Sequence, residues 1–469
     1  MNRSIFVLLT AMAAIAGGCA MIPGYVRPPS PVPDAWPAGP AYREPATNPA
    51  GVHAAADVPW KDFFVDAKLQ KVIDLALATN RDLRVAVLSV EKMRAMYRIQ
   101  RSALVPAIGI LASGDKSRLP AGVSGSAVDT TVEQYSVNFG FISYELDLFG
   151  RIRSLKAAAL EQYLAGEQAR RSAQISLVAE VANVYLALAA DRDHLKLVQD
   201  TLKAQQDTYA MIQRRYDVGA SSEVDLRQAQ TRVDAARVDI ARYTGQVAQD
   251  ENALNFLVGA TVPAELLPGD LGSVTMLKDV AAGLPSEVLQ RRPDILQAEN
   301  QLRAANANIG AARAAFFPNI TLTAGIGTIS SQLSGLFKSG SDTWGFSPQI
   351  TLPLFTAGRN RAGLAAAKAD RDICVAQYEK TIQAAFREVA DTLAQRGTVE
   401  DQMTAQRSLV EAAEATYRLA EARYLQGIDS QLGVLDAQRS LYAAQQGLIS
   451  LRLARLNNAL MLYKALGGG

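Results

Sequence analysis

The chain has 469 residues, 49% of them hydrophobic and 7% aromatic, with 48 Lys and Arg against 46 Asp and Glu for a net charge of +2. So even a balance excludes the basic surface by which a nucleic-acid binder neutralises phosphates. The two cysteines, Cys19 and Cys374, and the two histidines, His53 and His194, are each far apart in sequence, so no metal-ligand spacing exists. There is no recognisable catalytic triad and no glycine-rich phosphate loop, and the expectation is a protein without enzymatic activity, metal or cofactor.

At the N-terminus, Asn2 and Arg3 form a short basic start, Ile5 to Ile15 is an apolar stretch too short to span a bilayer, and Ala16-Gly17-Gly18-Cys19 follows. Residues 1–18 read as an export signal ending at a lipobox-like site, with Cys19 lipidated. Ala16 stands where such a box usually has Leu, and ordinary cleavage after Ala16 is the alternative. Ala20, in place of an acidic residue, resembles lipoproteins sent on to the outer membrane of a Gram-negative cell. Cys374 falls in a helical run and reads as a small apolar side chain, so a disulfide with Cys19 is not expected.

Residues 19–60 carry Pro23, Pro28, Pro29, Pro31, Pro33, Pro37, Pro40, Pro45, Pro49 and Pro59, and read as an extended strap. Beyond it the chain repeats itself. Arg215, Tyr216, Gly219, Ser222, Ala229 and Gln230 recur as Arg423, Tyr424, Gly427, Ser430, Ala437 and Gln438, always 208 residues on. Asp82, Ala86, Arg101, Pro106 and Ile108 match Asp294, Ala298, Arg313, Pro318 and Ile320 at an offset of 212. Two copies of one unit, 61–270 and 271–469, therefore make up nearly everything after the strap.

Within each copy the periodicity runs from helix to strand and back. Helices are predicted over 66–103 and 286–315. Strands follow over 104–115 and 131–149 in the first copy and 317–329 and 343–355 in the second, separated by loops near 115–130 and 329–342. In 131–149, Tyr135, Val137, Phe139 and Phe141 alternate with Gln134, Ser136, Asn138 and Gly140. In the second copy Trp344, Phe346, Ile350 and Leu352 alternate with polar residues one residue out of phase, which calls for an odd-length insertion or a bulge. Helices are then predicted over 150–216 and 223–258, and over 358–424 and 431–466. The 61 residues from Leu155 to Arg215 alone would span about 90 Å, too long for a compact globule. Turns at Gly219 and Gly427 reverse the chain into return helices with coiled-coil seams, Leu226-Ala229-Val233-Ala236 in one and Val434-Ala437-Leu441-Ala444 in the other.

Four strands with one polar and one apolar face cannot close a barrel, and an unclosed sheet in lipid leaves edge amides unpaired at several kcal/mol each. Closure must come from other copies, and three would give twelve strands. Gln134, Ser136, Asn138, Thr321, Thr323 and Gln349 suit the lining of a water-filled pore. Two other classes stay open at this point. A soluble β-sandwich with one wet face needs neither a signal nor long helices. A structural periplasmic coiled-coil lipoprotein shares the signal and seams, and differs in having no use for the Tyr135, Phe139 and Phe141 stripe.

Pro59-Trp60-Lys61-Asp62-Phe63-Phe64, Glu145-Leu146-Asp147-Leu148-Phe149-Gly150-Arg151, Leu284-Pro285-Ser286 with Arg291-Arg292-Pro293-Asp294, and Leu435-Asp436-Ala437-Gln438-Arg439 occur in that order. Together they resemble the outer-membrane efflux channels of the TolC superfamily, in its lipoprotein OprM/NodT branch. The resemblance implies a mixed, mainly α fold: a homotrimeric α-barrel through the periplasm, a twelve-stranded transmembrane β-barrel, and an equatorial belt from residues near 260–285 and the chain ends. It implies a passive exit duct for drugs or other small toxic compounds, with a periplasmic adaptor and an inner-membrane pump of the RND class as partners. Type I secretion and metal efflux are alternatives within the channel class.

The resemblance also maps a periplasmic gate. Gly219 and Gly427 fall at the helix-tip turns, Asp436 matches an acidic ring at the constriction, and Leu432 and Arg439 lie one turn to either side of it. Gly433 stands where TolC carries a further aspartate, so a single ring is implied. Tyr424 matches a tyrosine that ties to an aspartate on the neighbouring tip, and Asp225 takes that aspartate's place. Asp429 stands where TolC has an arginine, which implies that a second tether is missing. Without the resemblance, Asp436 and Arg439 read as a solvated i, i+3 ion pair.

Overall fold

A computed structural model describes residues 20–42, 58–124, 128–274 and 286–468. The lipidation site expected at Cys19 and residues 275–285 of the expected equatorial segment lie outside the described residues. The described chain is mainly helical, with one four-stranded sheet, and divides into two compact units.

The first unit takes the described part of residues 1–29 together with Ser89–Glu167 and Gln297–Tyr378. It holds the whole sheet: β1 (Ile108–Leu119), β2 (Thr130–Glu145), β3 (Asn319–Ser330) and β4 (Asp342–Thr351), all antiparallel in the order β1-β2-β3-β4. Residues 115–119, expected in a loop, extend β1 because they keep pairing with β2 as far as Leu119 opposite Thr130. The phase slip read in the sequence has a location. On β2 Phe141 and Tyr144 are three positions apart, whereas their partners Ala324 and Leu322 are two apart, and Ser143 takes a left-handed φ of 55°. This bulge brings the apolar residues of both copies onto one face.

The second unit takes Ser30–Leu88, Gln168–Leu296 and Glu379–Gly469, within the described residues. The helix predicted over 66–103 is two helices, α2 (Ala67–Thr79) after the short α1 (Trp60–Phe63), and α3 (Arg81–Ser102). Asn80 breaks them: its Oδ1 accepts from Leu83 N at 2.7 Å, capping α3, and its Nδ2 donates to Leu257 O at 2.7 Å. After the short α4 (Ala121–Ser124) come α5 (Arg151–Asp217) and α6 (Glu223–Val258), then α7 (Pro293–Ala314), α8 (Arg359–Leu425) and α9 (Gln431–Ala465). The run before α7 is 3₁₀ over Ser286–Arg291, and Pro293 opens α7 where a missing N–H costs nothing.

Two of the motifs quoted from the sequence, residues 59–64 and 291–294, pack against the end of α9 in this second unit. Phe63 and Phe64 are fully buried, and Phe63 stacks on Tyr463 at 3.9 Å between ring centroids. Buried Arg292 donates to Ala465 O at 2.6 Å and pairs with Asp294 and Glu388 at 2.7 and 3.0 Å. Cys374, on α8 in the first unit, is half-buried, and burial pushes its thiol up.

Candidate functional site

The sheet presents two unlike faces. On one, Ile110, Phe139, Ile326 and Trp344 stand opposite one another across all four strands, and Ile108, Phe141, Ala324 and Phe346 form the next row. Ile110, Ile326 and Trp344 are 63–78% exposed, an apolar area of a kind that marks contact with lipid or another protein. On the other face Gly109, Gly140, Gly325 and Gly345 form an unbroken row, followed by Leu111, Asn138, Gly327 and Thr343. A Cβ at Gly140 would run into the Ala324 carbonyl, and one at Gly327 into that of Val137, so β2 and β3 approach too closely there for side chains. Nearby, the Ser113 and Ser136 hydroxyls lie 2.9 Å apart and Asn138 Nδ2 donates to Ser136 Oγ at 3.3 Å.

At the helix tips, in the second unit, the two copies end their long helices alike. Gly219 and Gly427 take φ of 76° and 74°. Gly219 N donates to Tyr216 O and Ala220 N to Arg215 O, and 208 residues on Gly427 N donates to Tyr424 O and Ile428 N to Arg423 O. This is the Schellman closure that a left-handed glycine permits. The return helices then differ. Ser222 and Asp225 form a capping box at the start of α6, whereas Ser430 makes no side-chain cap at the start of α9, where Gly433 replaces the aspartate. Hydrogen bonds from Ser222 and Ser221, then the charge of Arg215, hold the Asp225 carboxyl below its usual range.

Of the predicted gate residues, Leu432 is 56% exposed, and Asp436 and Arg439 are exposed and 3.5 Å apart on α9. Within the chain Tyr424 and Asp225 are not bonded to each other. Tyr424 Oη accepts from Arg215 Nη1 at 3.1 Å, and the Arg215 guanidinium lies 5.3 Å from the Tyr424 ring centroid. Arg423 pairs with Asp429, Nη2 to Oδ1 at 3.1 Å, and its hydrogen bonds pull the Asp429 carboxyl down. The 208-residue repeat matches both arginines, and Ser221, in the place of Asp429, leaves Arg215 without that carboxylate. Deeper in the second unit, the Tyr442 hydroxyl of α9 donates to Asp239 of α6 at 3.0 Å, and Asp191 of α5 is pushed up to about 7 by burial and by the neighbouring Asp250 carboxylate.

One further site was invisible in the sequence. In the first unit, residues 21–27 lie along one face of α7 formed by Glu299, Arg303, Asn306, Gly310 and Arg313. Tyr25 Oη, Arg27 Nε and Arg303 Nη2 donate to Glu299 Oε1 at 3.1, 3.2 and 2.7 Å, and Arg27 Nη2 also reaches Oε2. Asn306 Nδ2 donates to Pro23 O and Arg313 Nη1 to Met21 O, at 2.8 and 3.2 Å, and Ile22 fills the space over Gly310.

Residues 72–260 and 284–468 each match the family of outer membrane efflux proteins, one match to each repeat. The chain belongs to that family. Along its whole length it is 52% identical to two Pseudomonas putida proteins, of which it covers 96%: the antibiotic efflux pump outer membrane protein ArpC and the toluene efflux pump outer membrane protein TtgC. Its fold is similar to the crystal structure of a membrane protein from Pseudomonas aeruginosa, at 44% identity and a TM-score of 0.89 over 96% of this chain and 98% of that one. As an outer membrane efflux protein it is a channel of the outer membrane of Gram-negative bacteria, with the mainly α, TolC-like fold read from its sequence.

Proposed function

We propose that three copies of the chain close their sheets edge to edge into a twelve-stranded barrel and form the passive exit duct of a tripartite efflux pump. The observation that carries this is the exposed apolar sheet face whose end strands, β1 and β4, each pair on one side only among the described residues, in a member of a family of outer-membrane channels. In lipid both edges must find partners, and copies of the same chain supply them. The glycine and polar rows then line the lumen, and Cys19 carries the acyl anchor. A periplasmic adaptor and an inner-membrane pump of the RND class complete the path. Antibiotics and solvents such as toluene, named for the two putida relatives, indicate a cargo of small toxic organic compounds.

The long hairpins, α5 with α6 and α8 with α9, form the periplasmic part, reversed at Gly219 and Gly427. Their tips close on a constriction at Leu432, Asp436 and Arg439, helped by a tie between Tyr424 of one copy and Asp225 of the next. Three crowded carboxylates at one level favour cations and oppose anions. Asp436→Ala therefore raises single-channel conductance and weakens cation preference in planar bilayers. Conductance and selectivity equal to the parent for Asp436→Ala, Tyr424→Phe and Asp225→Asn alike would remove the gate.

A further inference from the structure

The two tips carry the same Arg-Tyr pair 208 residues apart and use it differently. Arg423 pairs with Asp429 inside its own turn. The counterpart of Asp429 in the first copy is Ser221, so Arg215 lacks that partner. Arg215 reaches out of the α5–α6 hairpin instead, donating to the Tyr424 hydroxyl at 3.1 Å and lying 5.3 Å from its ring centroid, at the end of α8. Its charge also helps hold Asp225 ionised. Arginine suits this position because its planar fork can donate to a hydroxyl and lie against an aromatic face, which a lysine ammonium does as a point charge only.

We infer that Arg215 is a latch residue: donating from the α5–α6 hairpin to the Tyr424 hydroxyl and lying against the Tyr424 ring of the other hairpin, it joins the two hairpin tips of each chain and must let go before the tip widens. The inference rests on the gate reading above and adds a residue to it. It also gives Tyr424 a contact within its own chain, to Arg215, beside the tie to the next copy. Opening then breaks three identical contacts, one per copy.

The test is single-channel conductance of the full-length, membrane-extracted protein, with assembly checked by mass. Arg215→Ala shifts each tip towards open by about two- to fivefold, the weight of one exposed cation–π contact, and so raises mean conductance. Tyr424→Phe, which keeps the ring and loses the hydroxyl, gives a smaller rise. Combining the two adds little to Arg215→Ala alone, because both remove one interaction. Arg215→Lys restores part of the closure, and Arg423→Ala, which removes the same charge from the matching place, stays at the parent level. If Arg215→Ala does not assemble, Arg215→Gln carries the same measurement. A parental conductance for Arg215→Ala beside a raised one for Asp436→Ala overturns the latch and leaves the gate standing. Parental values for both overturn gate and latch together. A rise for Arg423→Ala as large as that for Arg215→Ala also overturns the latch, since any lost tip charge would then do.

Discussion

A carboxylate that is only 3% exposed is costly to ionise, and Glu299 stays charged because three side chains donate to it. Burial alone pushes its carboxyl up, but the hydrogen bonds and charges of Arg27 and Arg303 outweigh burial and leave it below its ordinary value. A depressed carboxylate contributes stability that is present above its ordinary value, near pH 4.3, and lost as pH falls through the lowered one. Both arginines are 43% exposed and can rehydrate, so Glu299→Gln costs about 1–2 kcal/mol, well below the toll of stranding fully buried charges. Limited proteolysis reads this directly. Residues 20–29 become cleavable in Glu299→Gln at neutral pH, and in the parent only under acid conditions. Equal protection of the two at pH 7 would show that the clamp does not hold the segment.

The proline run made an extended segment legible, but not what it lies on, because Glu299 and its partners Tyr25 and Arg27 are more than 270 residues apart. The repeat points the wrong way here. At an offset of 212, Glu299, Arg303, Asn306, Gly310 and Arg313 correspond to Val87, Glu91, Arg94, Arg98 and Arg101. Only Arg313 is kept in both copies, and the four positions that differ, among them the glycine that Ile22 fills, were the available signal.

Among the elements, the strands were legible as alternating patterns and their phase conflict as a missing residue, yet the bulge at Ser143 could be placed only once pairing was known. The glycine row was equally hidden. Gly109, Gly140, Gly325 and Gly345 align only after three registers are fixed, the bulge included. The row yields a contrast. A side chain at Gly140 meets backbone, whereas one at Gly345 meets nothing within 4 Å. Gly140→Val is therefore expected to block sheet formation and remove the protein from the outer-membrane fraction, while Gly345→Val inserts normally. Normal insertion of both would mean that β2 and β3 can separate without cost. Helix ends were read more closely because their signals are local: Gly219 and Gly427 close helices that end at Asp217 and Leu425. Asn80 was missed as a break because asparagine interrupts a helix only where its side chain finds partners, here Leu83 N and Leu257 O.

For the whole molecule, the doubled unit, the long hairpins and the split between a polar and an apolar sheet face were all visible as period and repeat, and membership of the outer membrane efflux proteins accords with them. What one sequence could not display is how copies meet, since β1 and β4 carry no mark that names their partner. Closure by three copies follows from strand count and edge chemistry. The most direct test is the mass and conductance of the full-length protein extracted from membranes in detergent and reconstituted in a planar bilayer. The account predicts a trimer that needs detergent for extraction and conducts weakly until Asp436 or Arg215 is replaced. A monomer or dimer released without detergent that never conducts would contradict it.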